Sequence, residues 1–335
     1  MSDPFEKARS ESSAWYWWGV PTFFRCEHDF DPAKCDIALV GVPHSSGNGS
    51  TERDQHLGPR AVRHVSGYYR RAHGVHGFSP WEVARCHDLG DVPLPEGMNN
   101  EACVRDIEAF YRHIDAAGTR PVSIGGDHSI TGPILEAIAG EGRKLSGGRK
   151  CALIHFDAHT DTYENLEHWN GARKSAGHWA AYTVRDGVVD ATASTQLGIR
   201  GHPSAAIHTD KVGAKSLELG YRVLTMDEVD DIGVERTIEI IRERVGDLPA
   251  YITFDLDSLD PSVAPGVSNI EPGFGGFSIR QATRILQGLK GLNIIGGDVV
   301  CLMPTKDNPN QITAMNANAI MFELVSLIAD RIGRS

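Results

Sequence analysis

Three short groups of acidic and histidine residues stand out in this sequence: Asp127-His128-Ser129, Asp157-Ala-His159-Thr-Asp161 and Asp255-Leu-Asp257-Ser-Leu-Asp260-Pro261. In extended backbone, residues i and i+2 point to the same side. Asp157 can therefore face one site together with His159, with Asp161 just beyond, and Asp255 pairs with Asp257 in the same way. A single Asp-x-Asp or Asp-x-His is more simply a turn or a helix cap. Three such groups, each at the end of a separate apolar run, are not explained by capping alone. Six ligands follow, His128, Asp157, His159, Asp161, Asp255 and Asp257, with Asp260 left as a turn residue before Pro261. Four carboxylates and two imidazoles suit two divalent cations better than one structural zinc. Crowded carboxylates repel one another strongly without cations. Two divalent ions relieve that repulsion, and a water between them gives up a proton near neutral pH. The chemistry to expect is metal-assisted hydrolysis.

Such a site needs a frame that brings distant segments together. Apolar runs at 37–42, 84–89, 121–126, 151–157, 195–200, 222–226, 251–257 and 293–302 are predicted strands. Helical patterns occupy about 57–71, 100–118, 130–140, 227–246, 278–290 and 310–333. Pro59 after Gly58 marks a helix start, and Thr225 with Glu228 three residues on resembles a helix cap. Val-, Ile- and Leu-rich strands alternating with helices indicate an α/β fold with a parallel sheet covered on both faces. In such sheets ligands bind beyond the carboxyl ends of the strands. The runs PVSIGG, LIHF and YITF lead straight into the three groups.

Composition narrows the function classes. The chain has 335 residues and a net charge of −11, which argues against a general nucleic-acid surface. None of the six cysteines forms a C-x-x-C pair, so a zinc finger has little support and the thiols are expected to be free. The N-terminus is polar and lacks the apolar run of a secretory signal. No apolar segment is seen to approach the ~18–20 residues of a membrane span, so neither a membrane nor a nucleic acid is an expected partner. A reducing cytoplasm is the simplest compartment. Residues 1–35 form an aromatic-rich arm with Trp15, Tyr16, Trp17, Trp18, Phe23 and Phe24, and 36–335 a single catalytic domain. The arm either packs on the body or a neighbouring subunit, or helps to line the active site. The glycine-rich stretch 140–150 lacks the G-K-[ST] of a phosphate loop, and GNGSTE (47–52) fails as a dinucleotide fingerprint.

The motifs GGDHS (125–129), DAHTD (157–161), DLDSLDP (255–261), APG (264–266) and Glu271-Pro272-Gly273 together resemble those of the ureohydrolases, the arginase and agmatinase family. The likeness runs from about residue 36 to 330. It implies a three-layer α/β/α fold around an eight-stranded, mostly parallel sheet, and a trimer or hexamer, with a mixed oligomer containing a related subunit also open. It implies that His128, Asp157, Asp161 and Asp255 hold one ion and Asp157, His159, Asp255 and Asp257 the other. His178 falls where the family keeps a proton-shuttling histidine, and Glu271 matches the acid that pairs with a substrate guanidinium. A carboxylate can hold that planar cation by paired hydrogen bonds.

Departures from the family pattern bear on the substrate. Val267-Ser268-Asn269-Ile270 stands where the family has Thr-Gly-Thr-Pro, so Asn269 joins Glu271, His178 and Trp179 as a candidate substrate contact. Cys301 replaces an acid, so an interface salt bridge is expected to be missing. The stretch from Asp161 to His178 lacks the Ser-Gly-Asn-x-His pattern by which arginases recognise an α-amino acid, so arginine is not the expected substrate. The aromatic arm, residues 47–63, SAGHW (175–179) and VSNIEPG (267–273) look most like the guanidine and metformin hydrolase branch. That likeness implies a small guanidine or biguanide as substrate and nickel as a rival to manganese. Trp179 then offers either a face for the cation or core packing. Agmatine or a guanidino acid is the second substrate reading. A mononuclear zinc deacetylase and a non-catalytic partner subunit are the others. The first keeps fewer ligands, and the second would be marked by lost ligands, whereas all six positions are present here.

Overall fold

The apolar runs pair side by side into one sheet. The computed structural model describes residues 3, 4, 6, 18–49, 53–164, 174–201, 213–271 and 275–334. Its strands are β1 (Glu27–His28), β2 (Ile37–Val42), β3 (Cys86–Asp91), β4 (Arg120–Gly125), β5 (Ala152–Phe156), β6 (Thr195–Ile199), β7 (Arg222–Thr225), β8 (Ala250–Asp255) and β9 (Ile294–Val300). They lie in the order β1-β3-β2-β4-β9-β8-β5-β6-β7, and every neighbouring pair is parallel. The expected count of eight strands is corrected to nine. The addition is β1, two residues of the arm that pair with β3 at the sheet edge, too short to show any periodicity in sequence.

Both faces of the sheet are covered, and the side chains alternate between them as the pleat requires. Ile37 and Leu39 of β2, Val122 and Ile124 of β4, and Ile154 and Phe156 of β5 point to one apolar layer. Ala38, Val40 and Val42, Leu153 and Tyr251 point to the other. The first layer is closed by α1 (Gly58–Ser66), α7 (Met226–Val245), α8 (Ile279–Gly288) and α9 (Ile312–Ile332). The second is closed by α3 (Asn100–Ala117), α4 (Thr131–Ile138) and α5 (Trp179–Arg185). Short helices α2 (Pro80–Val83) and α6 (Ala214–Leu219) complete the set. Helix α9 corrects the expectation that no segment is apolar enough to span a membrane: its 21 residues include an 18-residue window of mean hydropathy 1.5, but 83% of that window is buried inside the protein. It is apolar all round because it fills the core. All six cysteines are free and buried.

The described part of the arm packs on the body. Phe23 and Phe24 are fully buried, and Phe24 sits 5.0 Å from Trp81 between ring centroids. Trp15, Tyr16 and Trp17 lie outside the described residues. Asp88 on β3 ties the arm down. Its Oδ2 accepts from the Phe23 amide at 2.8 Å and from Arg63 Nε at 2.8 Å, and its Oδ1 accepts from Arg63 Nη2 at 2.9 Å. The pair is well buried, 12% and 1% exposed, so removing the carboxylate leaves the Arg63 guanidinium with only the more exposed Asp91 as a carboxylate partner and takes the acceptor from the Phe23 amide. Asp88→Ala is expected to cost about 3–5 kcal/mol, read as a lower urea midpoint at unchanged slope. A loss below about 1 kcal/mol would place this pair with exposed salt bridges instead.

Candidate metal centre

The three groups meet beyond the carboxyl ends of β4, β5 and β8. In two of them one carboxylate serves the backbone and the cluster at once. Asp157 Oδ1 accepts from the His159 amide at 2.6 Å, which folds the chain back after β5, while Oδ2 lies 3.0 Å from His128 Nδ1. Asp255 Oδ1 accepts from the Asp257 amide at 2.9 Å, while its Oδ2 lies 3.1 Å from the same nitrogen. These are the local side-chain turns that aspartate favours. The third group divides the labour between neighbours. Asp127 caps the turn at His128–Ile130 through Ser129 N at 2.9 Å and holds the Gly47 amide at 2.9 Å, which leaves His128 to face the cluster. Gly126 brings this turn against β2's extension so closely that an added Cβ would stand 1.6 Å from the His44 carbonyl oxygen, which only glycine avoids.

Asp161 completes the arrangement from an unfavourable backbone position, φ +49°. A non-glycine residue held there marks a site whose surroundings over-determine it. Its carbonyl accepts from Ala180 N, and its Oδ2 accepts from Trp179 Nε1 at 2.8 Å while lying 3.0 Å from His128 Nδ1. On the outer side, His159 Nδ1 lies 3.1 Å from Asp257 Oδ2 and 3.4 Å from Asp157 Oδ1. Its Nε2 meets Glu271 Oε1 at 2.9 Å. Asp257 Oδ1 is held by the Ala158 amide at 3.1 Å. The site thus has a closed floor at His128 and a more open rim at His159 and Glu271, 18% and 23% exposed.

Two sets of ligand atoms share Asp157: His128, His155, Asp157 and Asp161 on one side, and Asp157, His159 and Asp257 on the other. Asp255 reaches the first set through His128. The charges show what is missing from the balance. Burial alone would push His128 down, yet the carboxylates of Asp157, Asp161 and Asp255 hold it well above the usual histidine range. His159 is raised well above it too, against burial, by Asp257 and its neighbours. Asp257 is driven well up by burial and by Asp255 and Asp157, and Asp161 is raised by burial and by Asp157. Without cations the cluster must collect protons. His128 Nδ1, fully enclosed, faces three carboxylate oxygens at 3.0–3.1 Å yet has no hydrogen-bond partner of good geometry. An atom so placed fits a divalent cation better than a proton, and oxygen and imidazole donors are those such ions take.

Other candidate residues fall in different places. Trp179 is fully buried beneath the cluster, its ring 4.8 Å from His128 and 5.0 Å from His155. Of its two expected roles, a face for a substrate cation or core packing, full burial leaves core packing, and its indole N–H orients Asp161. Trp179→Phe keeps the packing and removes that donor, and should weaken metal binding about 10-fold or more, measured by calorimetric titration of the chelated protein. His178 is half-buried at the start of α5, with its ring 6.1 Å from that of Tyr182, and no hydrogen bond joins it to the cluster among the described residues. Asn269 is half-buried on the loop before Glu271, and Pro272 and Gly273 lie outside the described residues. Cys301 is buried beside Asp255, and burial with Asp255 and Asp257 drives its thiol well up. It lies inside the subunit, not on an exterior face where a salt bridge to a neighbour would form.

Sequence reasoning missed His155. It is fully buried on β5, two residues before Asp157 on the same face, and its Nε2 meets Asp157 Oδ2 at 2.8 Å. A histidine inside an apolar strand was the available signal. A third group, His73, His76 and Glu323, has metal-like spacing but not metal-like chemistry. His73 Nδ1 accepts from the Val75 and His76 amides at 3.2 and 3.0 Å, so Nε2 carries the proton it gives Glu323 at 2.8 Å. Both His73 ring nitrogens are thus engaged, and His73 offers no lone pair to an ion.

Comparison with known proteins agrees with this architecture. The sequence matches the arginase family over residues 35–326. It is 37% identical to the guanidinopropionase of Pseudomonas aeruginosa over 317 residues, 95% of this chain and 94% of that protein. It is 35% identical to an agmatinase of Escherichia coli over 93% of this chain and 94% of that one. Among solved structures, the proclavaminate amidino hydrolase of Streptomyces clavuligerus matches with a TM-score of 0.83 at 29% identity, over 94% of this chain and 99% of that one. A hypothetical agmatinase of Burkholderia thailandensis matches with 0.81 at 34% identity, over 94% and 93%. The chain belongs to the arginase family and is a hydrolase acting on the C–N bonds of amidino compounds.

Proposed function

We propose that this protein holds two divalent ions and hydrolyses a guanidino compound that carries a carbon chain, a guanidino acid or agmatine, to urea and an amine. The observation that carries the two-ion reading is the shared carboxylate of Asp157, which sits between the His128 side and the His159 side of one buried, acid-rich cluster. The ligands are His128, Asp157, Asp161 and Asp255 for one ion and Asp157, His159, Asp255 and Asp257 for the other. Bound there, the ions would supply Lewis acidity and lower the pKa of water. Manganese is the expected metal and nickel its rival. The domain from residue 36 onward carries the site, and a trimer or hexamer is the expected assembly.

The chain's own residues account for the rest. Glu271 stands at the open rim, where a carboxylate attracts a guanidinium and, with one oxygen already on His159, orients it toward the cluster. His178 is held below the usual histidine range by burial, so near neutral pH its ring is a proton acceptor. It can take up the proton shed by the attacking water and deliver it to the leaving nitrogen as the C–N bond breaks. Asn269 lies on the loop that borders the same rim. The choice of a chain-bearing guanidine follows from likeness to a guanidinopropionase and to agmatinases. Guanidine or a biguanide takes second place, because it rests on sequence resemblance to one branch alone.

The test is elemental analysis of the purified chain, then urea release from guanidinopropionate, guanidinobutyrate, agmatine, guanidine and metformin with Mn2+ or Ni2+. Two ions per chain and release from one of the first three is the expected result. Release from guanidine or metformin alone would move the substrate to the second reading. A single zinc per chain with no release from any of the five would overturn the function, and full metal without activity until a second subunit is added would point to a mixed oligomer.

A further inference from the structure

Beneath the cluster, polar residues form a row where a parallel sheet should be apolar. Ser123 on β4, Asp298 on β9, Thr253 on β8, His155 on β5 and Gln196 on β6 are direct neighbours in register across five strands. All five are fully buried. The row points to the layer closed by α3 and α4, as do the cluster carboxylates, since His155 is two residues before Asp157 and Thr253 two before Asp255. It is therefore the layer directly below those ligands.

Its hydrogen bonds have a fixed direction. Asp298 accepts from Thr253 Oγ1 at 2.6 Å, from Tyr251 Oη at 2.8 Å and from Thr131 Oγ1 at 2.9 Å. A threonine hydroxyl has one proton, and here it goes to Asp298. Thr253 Oγ1 must then accept from His128 Nε2, 2.8 Å away. The proton on Nε2 leaves Nδ1 with a lone pair, aimed at Asp157, Asp161 and Asp255. On the neighbouring strands, the Gln196 amide nitrogen is identified by its bond to the Thr160 carbonyl at 2.6 Å, and it also reaches His155 Nδ1 at 3.0 Å. His155 Nε2 therefore carries its proton and gives it to Asp157 Oδ2. His155 looks like a ligand by distance, but it is a donor by hydrogen bonding.

We propose that this row contains two tautomer locks with different targets: Thr253 and Asp298 set His128 for one ion, while Gln196 and His155 set Asp157, which serves both. These are positioning residues, and the inference rests on the two-ion reading above. A histidine ligand held by its other ring nitrogen, and a ligating carboxylate held in turn, are the arrangements that raise metal affinity.

The test uses the full chain, stripped by chelation and titrated with Mn2+, with calorimetry for affinity and elemental analysis for content. Thr253→Val has the same shape and no acceptor. It should weaken one of the two ions about 10- to 100-fold, so that the chain retains one ion where the wild type holds two. Thr253→Ser should restore the second. Gln196→Met, which frees His155 to adopt the other tautomer, should weaken both ions. Should Thr253→Val fail to fold, Asp298→Asn is the substitute, with the same expected loss of one ion. Two tightly held ions in Thr253→Val would overturn the lock while leaving the two-ion reading intact. Loss of both ions, or no rescue by serine, would also overturn it, since either means general disruption. Fewer than two ions on the wild type would overturn the two-ion reading, and this inference with it.

Discussion

Asp157→Asn is expected to abolish turnover, with kcat lowered at least about 10^3-fold, and to leave the chain unable to hold its full metal content. The scale is that of removing a group that stabilises charge at the reacting centre. Asp157 meets more of the site than any other residue in it. Its Oδ2 lies against His128 and His155, and its Oδ1 against the His159 amide and ring. Asparagine retains the size and one carbonyl oxygen, so the turn after β5 can still form. What it loses is the charge that holds three histidines and, in the proposed site, two cations. The nitrogen of an amide placed at Oδ2 would also meet the His155 N–H head on. Metal content and kcat should therefore fall together while circular dichroism stays unchanged. Retained turnover with full metal would show that Asp157 is not shared and would sink the proposed ligand set. Asp260→Asn is the matched control. That side chain only caps its own turn, accepting from Ser262 N at 2.9 Å, so its replacement should leave metal content alone.

The sequence was most informative where chemistry and periodicity coincide. Every strand long enough to alternate was legible from its apolar run, and the three ligand groups were legible because each follows such a run. What capping and ligation looked like in sequence was a choice between two roles. In the structure Asp157 and Asp255 perform both, one oxygen each, and this cannot be read from residue types. The edge strand β1 was not legible because two residues carry no period. Helix α5 was not legible because Trp179 and Tyr182 in a seven-residue segment obscure a helical face. The burial of α9 and of Trp179 depends on what packs against them. His155, Thr253 and Asp298 were legible in principle, as polar residues inside apolar strands and in step with the ligands beyond. Their pairing across β5, β8 and β9 needed the register.

Removing the metal should cost stability in a way that grows with pH. Each ion at a hundredfold excess over its Kd adds about 2.7 kcal/mol to the folded state, so chelation should lower Tm by several degrees at least. The pH dependence comes from the protons that replace the cations. In the metal-free cluster His128 and His159 are held well above the usual histidine value. A group with a raised folded pKa contributes stability that is complete below its unfolded value, about 6.5 for histidine, and is lost as pH climbs through the folded value. Asp257 and Asp161, also raised, act in the same direction from their own lower starting value. Asp157 is the opposite case: the three histidines outweigh burial and hold it well below the carboxylate range, so its contribution fails only in acid. From about pH 6.5 upward the chelated protein should therefore weaken steadily. The loaded protein should not, because ligands must shed those same protons to bind metal and do so more readily as pH rises. Paired thermal melts with EDTA and with Mn2+, run from slightly acid to alkaline buffer, read the difference directly. The gap in Tm should widen with pH. A gap that is constant or narrows would mean that the protons on His128 and His159 do not stand in for cations, and that the acid-rich cluster is balanced by some other means.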